Sequence, residues 1–313
     1  MPSLLSRFAG NAFWLGRYME RAENLARILD TNETYAREEP TGPDWRRVLD
    51  LYADGARFMT SHARVEERDV LHFYVLDTAN PGSILSAVMA ARQNARTIRH
   101  LISTEMWTHL NVFHSRLSRL TRRDVRADNL ARVCWDTKLG CQTFEGIAEG
   151  TFQRDEPWCF YHLGKYLERA DQTTRVLDMG CKWLGEAADD ALAPVKRDVL
   201  VRSLSGYHAF RSRYPTASGL DDIARFLLHD EQFPRAVRLC INRMSDRLRD
   251  LANRHGADAV EIADSARMHL QFTLETGAGG RTTPAALHRF LDGLQARLDG
   301  VSDSIAVAFF ARA

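Results

Sequence analysis

FWLGRYMERAENLARILD at residues 13–30 and YHLGKYLERADQTTRVLD at residues 161–178 align without a gap, and the fold is read from them. Nine of the eighteen positions are identical and six more are close substitutions. Only Trp14/His162, Leu25/Thr173 and Ala26/Thr174 differ in kind. Leu15, Tyr18, Met19, Ala22, Ala26 and Leu29 recur in steps of three and four residues. Leu163, Tyr166, Leu167, Ala170, Thr174 and Leu177 repeat the pattern, so each segment is a helix with one apolar face.

A weaker match follows in the same order. Val75 to Ile84, with Asp77 and then Pro81, parallels Leu228 to Val237, with Asp230 and then Pro234. The Glu-to-Asp interval is 57 residues in the first half and 62 in the second. Two matches in one order at nearly one spacing indicate duplication. The expected fold is all-α, an internally duplicated helical bundle with two repeats related by a pseudo-two-fold. Residues 1–150 would carry the Glu20-Arg21 pair and residues 151–313 the Glu168-Arg169 pair, packed as one globular unit.

Helical periodicity extends beyond the repeat. It predicts helices over 13–35, 44–62, 83–119, 126–149, 158–184, 192–213, 219–228, 234–254, 258–275 and 284–311. Breaks are expected at Glu39 to Pro43, at Asn80 to Gly82, at Pro215 to Gly219, and at Gly277, Gly279 and Gly280. Ser83 suits a helix cap, and Pro157 suits a first helical position after Asp155 and Glu156. Trp107 and Trp135 are expected to fill the core.

Bulk chemistry narrows the partners. A formal net charge of +1 asks for neither nucleic acid nor an anionic membrane. Lys138, Lys165, Lys182 and Lys196 are the four lysines, so nearly all the basic charge is guanidinium. That preference suits bidentate recognition of carboxylate or phosphate, and it equally reflects genomic base composition. The five cysteines (Cys134, Cys141, Cys159, Cys181 and Cys240) show no C-x-x-C spacing, which fits a reducing compartment rather than a disulfide framework. No signal-peptide pattern opens the sequence, and the apolar stretch 305–311 is far too short to span a bilayer. The expected location is the cytoplasm.

The chemistry-bearing positions lie on the polar side of the repeated helix. Around Glu20 sit Gly16, Arg17, Glu23, Asn24 and Arg27; around Glu168 sit Gly164, Lys165, Asp171, Gln172 and Arg175. A solvated face has no need to keep acid, base and amide in the same places. Arg21 and Arg169 follow about 100° round the helix, nearer the apolar edge, where a guanidinium needs a partner. A glycine one turn before the glutamate costs up to about 1 kcal/mol relative to alanine, so a close approach by a backbone or ligand is expected there.

Three readings stay open. The charges are structural, with Glu20–Arg17 and Glu168–Lys165 as intrahelical pairs and Arg21 and Arg169 bridging the halves. Alternatively, two polar pockets bind an amine- or carboxylate-bearing ligand. In the third, Glu20, Glu23, Glu168 and Asp171 hold two metal ions, although such sites usually supply Glu-x-x-His. Each of the last two needs the charged sides of both segments to line a common interior cleft. Asp155 and Glu156 either cap their helix or add two carboxylates near Glu168 in one half only. Asp77 and Asn80 read first as turn residues and second as ligand contacts. Glu105 and His109 stand one turn apart without a visible ligand partner.

The motifs, in order, resemble the Alpha-E family, an all-helical bacterial family defined by a Glu-Arg motif. They are Asn11 to Asn24, Asn80 to Ile84, Ala91 to Arg96, Glu105 to Trp107, Glu149 to Trp158, Leu163 to Asp171, Tyr207 to Tyr214 and Phe233 to Arg235. The departure is His162, where a larger apolar or aromatic residue would fit the pattern. The resemblance implies a setting: a circularly permuted ATP-grasp partner, with a transglutaminase-like and in some systems a proteasome-like peptidase. It implies an accessory or acceptor-binding subunit of an ATP-dependent amide ligase that makes or modifies a small peptide. ATP and Mg would then be bound by the partner, and no cofactor is expected on this chain. Rivals from other classes are a stand-alone enzyme using Glu168 or Glu20 as general base and a purely structural scaffold. No G-x-x-x-x-G-K, H-E-x-x-H or G-x-S-x-G motif is present.

Overall fold

A computed structural model describes residues 6–36, 44–185, 193–216, 219–277 and 283–310. The expected breaks at Glu39 to Pro43 and at Gly279 and Gly280, and part of that between Pro215 and Gly219, lie outside the described residues. The described residues form fourteen α-helices and no strand. They are α1 (Ser6–Ala36), α2 (Arg46–Leu51), α3 (Gly55–Met59), α4 (Glu67–Val75), α5 (Ile84–Thr97), α6 (Thr104–Ser118) and α7 (Ala127–Thr151). Next come α8 (Glu156–Gly185), α9 (Ala193–Ser203), α10 (Tyr207–Arg213), α11 (Leu220–His229), α12 (Val237–His255), α13 (Glu261–Thr276) and α14 (Pro284–Ile305). None of the helices is long and apolar enough to cross a membrane.

Two compact units divide the chain. One comprises Trp14–Arg154; the other comprises Asp155–Ala313 with the chain up to Phe13, so α1 contributes to both.

In the Trp14–Arg154 unit, α5 packs on α4 and α6, and α6 packs on α7. Ser83 caps α5 by accepting the Ser86 N–H at 3.1 Å, as its position before an apolar-periodic run predicts. The expected single helix over 83–119 is two helices. Ile98 and Ile102 are buried in the link, and Ser103 restarts the helix by accepting the Met106 N–H. α4 lies outside the helices that periodicity predicts. Val70, Leu71, Phe73, Tyr74 and Val75 are all buried, so that stretch lacks the polar stripe by which a surface helix is recognised. Trp135 departs from expectation, being 62% exposed. The buried stripe of α7 runs through Cys134, Thr137, Cys141, Phe144 and Ala148, and Trp135 stands one residue off it. Trp107 is half-buried beneath the Arg92 guanidinium.

The other unit is built on α8, which packs against α9, α11, α12 and α14, while α13 lies on α12 and α14. A helix touched on so many sides has no solvent face. Every residue from Pro157 to Lys165 is buried, and further along only a few side chains, including Tyr166, Arg169 and Arg175, reach the edge. The expected helix over 192–213 is broken between α9 and α10, where Ser205 takes a left-handed φ of 57°. Within this unit the first residues of α1 cross α8. A Cβ placed on Gly164 would lie 2.0 Å from the Phe13 carbonyl oxygen. The close approach expected at this glycine is therefore made by backbone.

Candidate functional site

The repeated segment keeps its charged positions inside the protein. Glu20 is 4% exposed and Glu168 is 0% exposed, and Arg17, Glu23, Asn24, Lys165, Asp171 and Gln172 are buried with them. Helical geometry places residues i and i+4 on one face, and each glutamate takes an amide from that position. Asn24 Nδ2 donates to Glu20 Oε1 at 3.0 Å, and Gln172 Nε2 donates to Glu168 Oε1 at 3.3 Å. The second acid of each segment takes an arginine one turn on. Arg27 reaches Glu23 at 2.5 Å, and Arg175 reaches Asp171 at 2.8 Å. The position that is Arg17 in one segment and Lys165 in the other holds its cation over an aromatic ring, Trp14 at 4.8 Å and Tyr166 at 5.1 Å. Arg21 and Arg169, at the half-buried edge, lie over Tyr18 and Tyr166 at 5.7 and 5.9 Å.

Burial works against the charge on Arg175, yet its affinity for a proton is raised. The carboxylates of Asp171, Asp299 and Glu168 together outweigh the loss of water. The cluster around Glu168 thus includes a locked guanidinium among three carboxylates. Around Glu20 the corresponding lock includes Gln142 of α7, whose Nε2 donates to Glu23 at 3.2 Å. Gln142 lies 119 residues from its partner, beyond the reach of any local pattern.

One departure within the repeat has a structural reason. Thr173, aligned with the buried Leu25, donates its hydroxyl to the Arg235 carbonyl at 2.8 Å and ties α8 to the turn before α12. Arg169 reaches the same turn, donating to the Pro234 carbonyl at 3.4 Å.

The remaining candidates shape the backbone. Asp77 accepts the Ala79 N–H at 2.9 Å. Asn80 is buried, donating to the Phe73 carbonyl and accepting the Gly82 N–H. In the second half Asp230 accepts the Gln232 and Phe233 N–H groups and pairs with Arg213. In both halves the helix starts three residues after the proline, at Ile84 after Pro81 and at Val237 after Pro234. Asp155 accepts the Trp158 N–H at the start of α8, and burial raises its carboxyl above the ordinary value despite that bond. Glu156, in the first turn, meets His255 at 2.5 Å. His109 bonds the Gly140 carbonyl at 2.7 Å, a link between α6 and α7.

Uncharacterized proteins of Mycobacterium bovis and of Mycobacterium tuberculosis strain H37Rv are 28% and 27% identical over 95% of this chain. The chain spans 36% of the length of each of these relatives. No solved structure matches it. A family model described as a predicted alpha-helical domain with a conserved ER motif matches residues 4–310. Glu20-Arg21 and Glu168-Arg169 both provide that dipeptide inside buried helices, and with the match running nearly end to end the chain belongs to the Alpha-E family.

Proposed function

We propose that this chain is an accessory or acceptor-binding subunit of an ATP-grasp amide ligase system, acting in the synthesis or modification of a small peptide. In this reading the two halves arose by duplication and are related by a pseudo-two-fold, each carrying one charged cluster. A circularly permuted ATP-grasp protein supplies ATP and Mg and activates a carboxylate as an acyl phosphate. The present chain holds the amine acceptor or keeps the ligase in its active form. The observation that carries the reading is the recurrence of one buried polar cluster, amide on glutamate and arginine on the second acid, at aligned positions. Withdrawing charges from water costs several kcal/mol per ion, and apolar side chains of similar volume would pack such a helix at least as well. A second indication is that the mycobacterial relatives carry the matched region as about a third of a longer polypeptide, as a module working beside another would be.

A scaffold reading is favoured by one observation, the 0% exposure of Glu168. Glu168→Gln and Glu20→Gln separate the two, since glutamine keeps the shape and can still accept the neighbouring amide while losing the charge. Product formation by the chain reconstituted with the ATP-grasp protein should fall at least tenfold, with the melting temperature nearly unchanged and the partner still captured. Activity that merely tracks the folded fraction would leave the scaffold reading in its place.

A further inference from the structure

Asp178 closes the repeated segment on α8, and its carboxylate faces His288 of α14. Its Oδ1 lies 2.5 Å from His288 Nδ1. An ionised carboxylate can only accept, so Nδ1 carries the proton, and the tautomer that binds a metal has its lone pair on Nε2. That nitrogen faces Asp292, one turn further along α14, with Nε2 and Asp292 Oδ2 3.6 Å apart. The gap is longer than a hydrogen bond. It is close to the roughly 3.3 Å that separates two ligand atoms held about 2.0–2.1 Å from one tetrahedral ion. Asp292 makes no other polar contact among the described residues. A carboxylate on the far nitrogen of a ligating histidine is the arrangement that orients the ring and raises its basicity in metal sites.

The aligned aspartate of the other segment has a different partner. There Asp30 is met by the Lys138 ammonium at 2.6 Å. On α8 the same aspartate meets an imidazole, and a second carboxylate stands beyond it. The imidazole thus has a carboxylate facing each of its two nitrogens, a donor set of the kind divalent metals take. Asp178 is 16% exposed, whereas His288 and Asp292 are 39% and 57% exposed, so the orienting group is sheltered and the ligating pair is open to solution.

We propose that Asp178, His288 and Asp292 form a site for a zinc-class divalent ion, bound by His288 Nε2 and an Asp292 oxygen while Asp178 holds the ring. Water or a ligand oxygen completes the coordination. The site is separate from the Glu-Arg clusters and does not depend on the reading proposed for them.

Calorimetric titration of the full chain with zinc sulfate at pH 7.5 tests the assignment. One zinc per chain is expected. His288→Gln and Asp292→Asn should each weaken binding at least tenfold, and Asp178→Asn by about 10–100-fold, the usual effect of losing an orienting partner. Circular dichroism confirms that the variants fold. Cobalt(II) provides a reading that needs no variant. Nitrogen and oxygen ligands give weak visible bands, whereas intense near-ultraviolet thiolate bands would place the ion on the cysteines, all five of which are buried. A wild-type chain that takes up no zinc, a His288→Gln chain that binds as well as wild type, or a thiolate spectrum would overturn the proposal.

Discussion

Asp155 stands just before α8 with its carboxylate on the Trp158 N–H, and burial holds its carboxyl above the ordinary value of 3.8. The unfolded chain therefore releases this proton at a lower pH than the folded one. Stability attributable to Asp155 falls as pH rises from the unfolded value through the raised folded value, and at neutral pH the cost is fully present. Asparagine accepts the same N–H and is as good a cap. Asp155→Asn should thus melt at or a few degrees above wild type at pH 7, with the gap closing in thermal scans below the ordinary carboxylate range. A loss of about 1 kcal/mol or more at pH 7 would show instead that the charge at the helix N-terminus outweighs its burial. The same residue illustrates what local sequence conveys: Asp155 and Glu156 before a proline announce a helix start. Nothing nearby announces that His255, 99 residues away, meets Glu156.

Among the elements, α8 is the one whose neighbours constrain it most, and Gly164 marks the tightest point. Helix propensity alone predicts that Gly164→Ala stabilises by up to about 1 kcal/mol. The Phe13 carbonyl in the way reverses the sign, because the obstacle is backbone of a crossing helix and cannot rotate aside. Overpacking of this kind costs about 1–3 kcal/mol, so the variant should show a lower denaturation midpoint in urea with an unchanged slope. A higher midpoint would mean that α1 shifts freely over α8. Periodicity made this element legible along with its apolar stripe, and the glycine marked a close approach without telling backbone from ligand. It could not tell that the opposite face is buried too. Glu20, Asn24, Glu168 and Gln172 read as a polar face in sequence, yet all four are within a few per cent of full burial. The helices that cover such residues come from elsewhere in the chain. The break after α5 was hidden for a related reason: Ile98 and Ile102 continue the apolar count while the backbone leaves the helix.

At the scale of the whole molecule, the chain begins in one unit and at once leaves it. α1 runs unbroken from Ser6 to Ala36, yet its residues through Phe13 belong with Asp155 and beyond, while those from Trp14 on belong to the unit ending at Arg154. Sequence punctuation carries no sign of a boundary inside a continuous helix, since neither glycine nor proline nor a cap falls between Phe13 and Trp14. The contacts make the division physical. Phe13 meets Phe310 at 5.4 Å between ring centroids, and Phe160 meets Phe309 at 5.0 Å and Phe310 at 6.1 Å. Gly10 faces the Phe310 ring as well. Removing residues 1–13 therefore strips an aromatic cover from Phe310, which follows α14, and takes away the backbone that Gly164 accommodates. Hydrogen–deuterium exchange read by mass spectrometry should show that loss unevenly. Peptides covering residues 156–168 and 300–310 should exchange at least tenfold faster in the truncated chain, and those covering α5 to α7 much less so. Uniform acceleration across both regions would mean that the two units open together, in which case stability would be shared across the chain rather than held locally.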